Sequence, residues 1–86
     1  MRTFKVYVKN ECPYCMSVQA LLEEKGHGYN RVASEQNQEL LLEVQIRHNW
    51  STVPVVFETT DGTNKFIGGY SDLVTYLQKD KQLLRG

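Results

Sequence analysis

The sequence predicts one α/β domain over residues 1–86, with the order β-α-β-α-β-β-α: a four-stranded mixed sheet flanked by three helices. Three observations predict it. A β-rich run, 3–8, passes into a stretch whose apolar residues, Val18, Leu21 and Leu22, recur at helical spacing. Two later strand-like runs are separated by a turn containing Asp61-Gly62, a strong hairpin signal. Glycines close the elements, at Gly26 and at Gly68-Gly69.

Taken in order, Phe4 to Val8 carries apolar residues on both faces, as a central parallel strand does. Pro13 suits the first turn of the first helix, where its missing N–H is not needed. That helix runs from Met16 to Lys25 and ends at Lys25-Gly26-His27-Gly28. Tyr29–Val32 is a short second strand. Ser34 is the expected N-cap of a second helix reaching Arg47, with Glu35 and Glu39 favouring its dipole. Leu40, Leu41, Val44 and His48 are expected on its inner side. After the loop Asn49–Thr52, Val55–Glu58 forms the third strand and Lys65–Ile67 returns antiparallel. The first three strands are expected to be joined by right-handed helical crossovers. Ser71 is the expected cap of the last helix, with Leu73, Val74 and Leu77 facing the core. The end from Lys79 to Gly86 is expected to fray.

Ten basic residues balance ten acidic ones, so no charge excess points to nucleic acid. No apolar run approaches the roughly 18 residues that span a bilayer. Lys5 and Lys9 interrupt the only candidate leader, which predicts no signal peptide and a reducing, cytoplasmic setting.

The chemistry centres on Cys12-Pro13-Tyr14-Cys15, which holds the only two cysteines. A cysteine at a helix N-terminus faces free backbone N–H groups and the positive end of the dipole, and both favour thiolate. An ordinary thiol is only about 3% ionised at pH 7. Lowering its pKa by three units takes about 4 kcal/mol, and the dipole supplies under about 2. The N–H groups of Tyr14 and Cys15, with Lys9, are expected to supply the rest. Cys12 is therefore read as nucleophile. Cys15, one turn inside and more buried, is read as the resolving thiol. A structural staple is disfavoured because so short a loop gains little chain entropy. Zinc would need further ligands, and His27 and His48 form no second pair with the cysteines, so no metal is expected.

Two other segments stand out. Pro54 interrupts a good strand. It is either a plain strand-start proline or a cis proline that turns the Val53 backbone outward, where an extended peptide could pair with it. Gly69-Tyr70-Ser71-Asp72 opens a helix; free N–H groups there could hold a carboxylate and Asp72 an ammonium, or the stretch is an ordinary cap. Tyr14 and Tyr70 are candidate apolar walls. Trp50 has no assigned role beyond packing over its loop.

Cys12-Pro13-Tyr14-Cys15, Thr52-Val53-Pro54 and Gly68-Gly69-Tyr70-Ser71-Asp72-Leu73, in that order, resemble a glutaredoxin, especially small two-cysteine members such as those of phages and bacteria. The resemblance covers Phe4 to about Leu77. It implies the thioredoxin fold, a cis proline facing the cysteines, and glutathione as co-substrate with no tightly bound cofactor. It also implies site roles. Lys9 would meet the glycine carboxylate, while Thr52 and Val53, before Pro54, would pair with the cysteinyl portion. Gly69, Tyr70, Ser71 and Asp72 would hold the γ-glutamyl head, and Tyr14 would line the groove. No motif fixes a contact from Gln45 or Arg47. The stretch from Cys15 to Thr52 is short, and the 58–65 hairpin is longer than in compact relatives.

The expected activity is glutathione-dependent reduction of protein disulfides and glutathionylated proteins by a monomer, with ribonucleotide reductase a partner by analogy. A thioredoxin-like reductant regenerated by a flavoenzyme is one alternative, although thioredoxins carry Gly-Pro between the cysteines. A glutathione-ligated iron–sulfur carrier is the other, and the stiff Pro13 turn disfavours it.

Overall fold

The computed structural model describes residues 3–85, with side chains through Lys79. The elements are β1 (Thr3–Val8), α1 (Pro13–Glu24), β2 (Gly28–Ala33), a 3-10 turn (Ser34–Gln36), α2 (Gln38–Arg47), β3 (Val55–Thr60), β4 (Thr63–Gly68) and α3 (Tyr70–Arg85). One sheet has the order β2-β1-β3-β4. β1 is central and pairs parallel with β2, as a βαβ unit requires. The second connection differs from expectation: β3 runs antiparallel to β1, so only the first crossover joins parallel neighbours.

Alternation along β1 feeds two cores. Phe4, Val6 and Val8 join Val18 and Leu22 of α1, Val56 of β3 and Leu73 of α3. Tyr7, on the opposite face, joins Val55, Phe57 and Leu41 of α2. α1 and α3 thus cover one face and α2 the other.

Local chemistry sets the helix ends. Gly26, with φ 74°, follows α1; its N–H meets Glu23 O and the His27 N–H meets Leu22 O. That is a Schellman motif. α2 ends the same way at Asn49 (φ 50°), with Asn49 N–H on Ile46 O and Trp50 N–H on Gln45 O. Asp61 and Gly62, with φ 49° and 79°, make the tight hairpin turn that matches strand twist.

Three expectations about caps and faces are corrected. Ser34 caps nothing: it is buried in the 3-10 turn with its hydroxyl unpartnered, and α2 begins later, after Asn37. Leu40 is exposed, because the sheet-facing stripe of so short a helix holds only Leu41, Val44 and the packed His48. Ser71 lies inside α3, which starts at Tyr70; Gly69 precedes it and accepts from Leu73 N–H. α3 extends as far as Arg85; the fraying expected from Lys79 to Gly86 falls largely on Gly86 and on side chains from Asp80 onward, which lie outside the described residues. Among the described residues no helix is long and apolar enough to cross a membrane.

Candidate active site

Val8, at the end of β1, hands the chain to a short loop, Lys9–Glu11, that delivers Cys12 to the N-terminus of α1. Cys12 is the N-cap residue, with extended backbone at φ −116° and ψ 103°. Its Sγ accepts from Cys15 N–H at 3.2 Å. This is the donor geometry that stabilises a charged sulfur, and Cys15 is one of the two donors expected. Cys12 and Cys15 are joined as a disulfide, their Cα atoms 5.2 Å apart. The two sulfurs differ in surroundings as expected. Cys15 is 1% exposed inside the larger core, whereas Cys12 is partly exposed at its margin.

Beside them opens a cavity of about 300 Å³. Tyr14, between the two cysteines, lines it and stands 64% exposed. Thr52, Val53 and Pro54 form a second wall, and the Val53–Pro54 bond is cis. Gly69, Tyr70, Ser71 and Asp72 form the third. The Tyr14 and Tyr70 rings lie 6.1 Å apart across it. Asp72 turns one carboxylate oxygen back to Gly69 N–H at 3.0 Å, half of a capping box, which satisfies one orphan donor of α3.

Lys9 is placed elsewhere. It lines a neighbouring hollow of about 340 Å³ with Glu35, Gln38 and Gln45, rather than the cavity that gathers the other candidate ligand residues. Gln45 bridges the two regions, donating from Nε2 to the Thr52 carbonyl at 3.3 Å. Arg47 points away and pairs with Glu43 at 3.2 Å on the helix surface.

Sequence reasoning left Trp50 without a role, and the structure puts it in the cavity wall. Its ring stands edge-on to Phe66 of β4, with centroids 5.6 Å apart. The available signal was Asn49, a residue that tolerates the left-handed turn ending α2 and so aims the next residue. Glu35 was read as a dipole partner only. Its carboxylate instead accepts from Asn10 N–H at 2.7 Å. That bond, and less so its own backbone N–H, holds the Glu35 carboxyl below the ordinary carboxylate range; Arg31 and Lys9 add to this and slight burial opposes it. Among the described residues no three His, Cys, Asp or Glu side chains gather to hold a metal ion.

Comparison with known proteins agrees with this geometry. The glutaredoxin family model matches residues 4–62. Glutaredoxin 3 of Escherichia coli K12 is 33% identical over 73 residues, covering 85% of this chain and 83% of that protein. Glutaredoxin 1 from Francisella tularensis, solved with cacodylate, superposes with a TM-score of 0.73 at 25% identity, over 95% of this chain and 99% of that one. A buckwheat glutaredoxin–glutathione complex superposes with a TM-score of 0.77 at 24% identity, over 95% of this chain and 74% of that one. The fold is the thioredoxin fold, Cys12 and Cys15 are its C-x-x-C pair, and the chain belongs to the glutaredoxin family of thiol oxidoreductases.

Proposed function

We propose that this protein reduces protein disulfides and glutathionylated proteins with electrons from glutathione. The observation that carries the reading is the cavity itself: three separate chain segments, including Tyr14 between the cysteines, converge on a hollow of the size that holds small ligands. The glutathione bound in the buckwheat protein lends it support.

In this reading Cys12 thiolate attacks a substrate disulfide sulfur, the substrate's own S–S bond breaks, and one substrate thiolate leaves. Cys15 thiolate then attacks Cys12 Sγ, expelling the second thiol and forming the Cys12–Cys15 disulfide. One glutathione opens that disulfide as a mixed disulfide on Cys12. A second releases it as glutathione disulfide, restoring both thiols. Thr52 and Val53 pair with the cysteinyl portion of glutathione, and Gly69 to Asp72 hold the γ-glutamyl head. Lys9 meets the glycine carboxylate, reaching from its neighbouring hollow. The protein acts as a monomer in a reducing cytoplasm, and ribonucleotide reductase is one candidate partner. The potential falls near about −200 to −230 mV.

Two substitutions test the roles. Cys12→Ser removes all activity. Cys15→Ser removes protein-disulfide reduction while sparing turnover of glutathione mixed disulfides. Equal loss of both in Cys15→Ser overturns the assignment. Reduction of the oxidised protein by thioredoxin reductase, and not by glutathione, would overturn the co-substrate.

A further inference from the structure

We propose that Glu35, in the 3-10 turn that follows β2, is a positioning residue that holds the nucleophile in register. The loop from Lys9 to Glu11 has a costly conformation to maintain. Glu11 sits in the left-handed region at φ 54°, which an ordinary side chain disfavours. Such residues persist only where their surroundings over-determine them. The Glu35 carboxylate supplies that constraint next door, gripping Asn10 N–H at 2.7 Å across 25 residues of sequence. A charged acceptor on a backbone N–H is among the stronger hydrogen bonds. Glu35 is itself held from behind, because Ser34 is buried to 2% exposure in the 3-10 turn. With Asn10 fixed and Glu11 turned, Cys12 reaches its extended N-cap conformation and its Sγ meets Cys15 N–H. Without the grip, Glu11 relaxes, Cys12 shifts, and the thiolate loses part of its donor. The inference rests on Cys12 being the nucleophile.

The test separates the bond from the charge. Removing a negative charge near a sulfur makes its thiolate easier to form, whereas releasing the loop makes it harder. Glu35→Gln keeps an acceptor oxygen and drops the charge; Glu35→Ala drops both. The reduced proteins are alkylated with iodoacetamide about one pH unit below the Cys12 titration midpoint of the unaltered protein, where thiolate is the minor form, with the site read by peptide mass, and their thiolate absorbance is titrated near 240 nm. Glu35→Ala is expected to label Cys12 about three- to tenfold more slowly, its titration displaced upward by about half a unit to one unit. Glu35→Gln is expected to label at least as fast as the unaltered protein. Glu11→Asn, whose side chain tolerates the left-handed turn, is expected to recover most of the rate when added to Glu35→Ala, each measured against Glu11→Asn alone. A Glu35→Ala rate within twofold of the unaltered protein overturns the inference, as does Glu35→Gln being as slow as Glu35→Ala. If the unaltered protein labels Cys12 no faster than free cysteine, the nucleophile assignment fails first and this inference falls with it.

Discussion

Gly68 and Gly69 are neighbours, yet they differ sharply in what a side chain would meet. Gly68 has φ 126°, and a Cβ there would lie 2.6 Å from Asp72 Oδ2 and 2.8 Å from Asp72 Cγ. Gly68→Ala therefore strains the backbone and drives Asp72 off Gly69 N–H; we expect about 1–3 kcal/mol of lost stability and, on the proposed function, weakened use of glutathione. A Cβ on Gly69 meets Trp50 Cζ2 at 3.5 Å and the Pro54 carbonyl at 3.7 Å, ordinary contacts. Gly69→Ala should keep stability within about 0.5 kcal/mol and, on the proposed function, still raise KM for glutathione, because it fills the cavity. Urea unfolding and steady-state kinetics on the pair separate the two effects. Glu35 gives a pH signature at the same scale. Its carboxyl is held low in the folded protein, first by Asn10 N–H, so its contribution is present above the unfolded value of about 4.3 and is lost as pH falls through the folded value. Glu35→Gln should flatten the acid side of a plot of urea midpoint against pH; unchanged steepness would contradict the bond.

At the scale of elements, the turns that end helices aim the site. The two Schellman motifs use different residues for one conformation, Gly26 after α1 and Asn49 after α2. An added Cβ at Gly26 finds open space, so only the backbone conformation opposes a side chain there. Asn49 matters more for function, since the next residue, Trp50, enters the cavity wall. Asn49→Ala should cost about 1 kcal/mol by denaturant unfolding, while Asn49→Gly should be close to neutral, because glycine enters the left-handed region freely. α2 also shows why Leu40 was expected on the inner side and is not there. Leu41 reaches the sheet, while Leu40 and Leu42 stand 41% and 57% exposed. A run of one residue type has no period, so the inner face is chosen by the sheet beneath.

For the whole molecule, one sheet underlies both the site and the two hydrophobic cores. Cys15 belongs to the same core as Phe4, Val18, Leu22 and Leu73, so the second sulfur of the C-x-x-C pair sits in the packed interior of a small domain. Leu73 is fully buried where α3 meets that core. Leu73→Ala should cost about 2–5 kcal/mol. For a domain of this size each kcal/mol lowers Tm by about 4–8 °C, so a calorimetric Tm lowered by less than about 8 °C would mean the site collapses far more readily than its packing implies.

Much was legible along the chain because its causes are local. β1, the turn at Asp61-Gly62, the glycine after α1 and the sulfur at a helix N-terminus each follow from a few adjacent residues, as does the deeper burial of Cys15. The order of elements follows from those pieces in sequence, whereas the thioredoxin fold is implied by the resemblance that the three motifs carry. What tertiary structure decided are the long-range choices: β3 antiparallel to β1, Lys9 facing a different hollow, and Glu35 gripping a loop 25 residues away. No local propensity encodes these. They are set by which surfaces must be buried against which, once the sheet has formed.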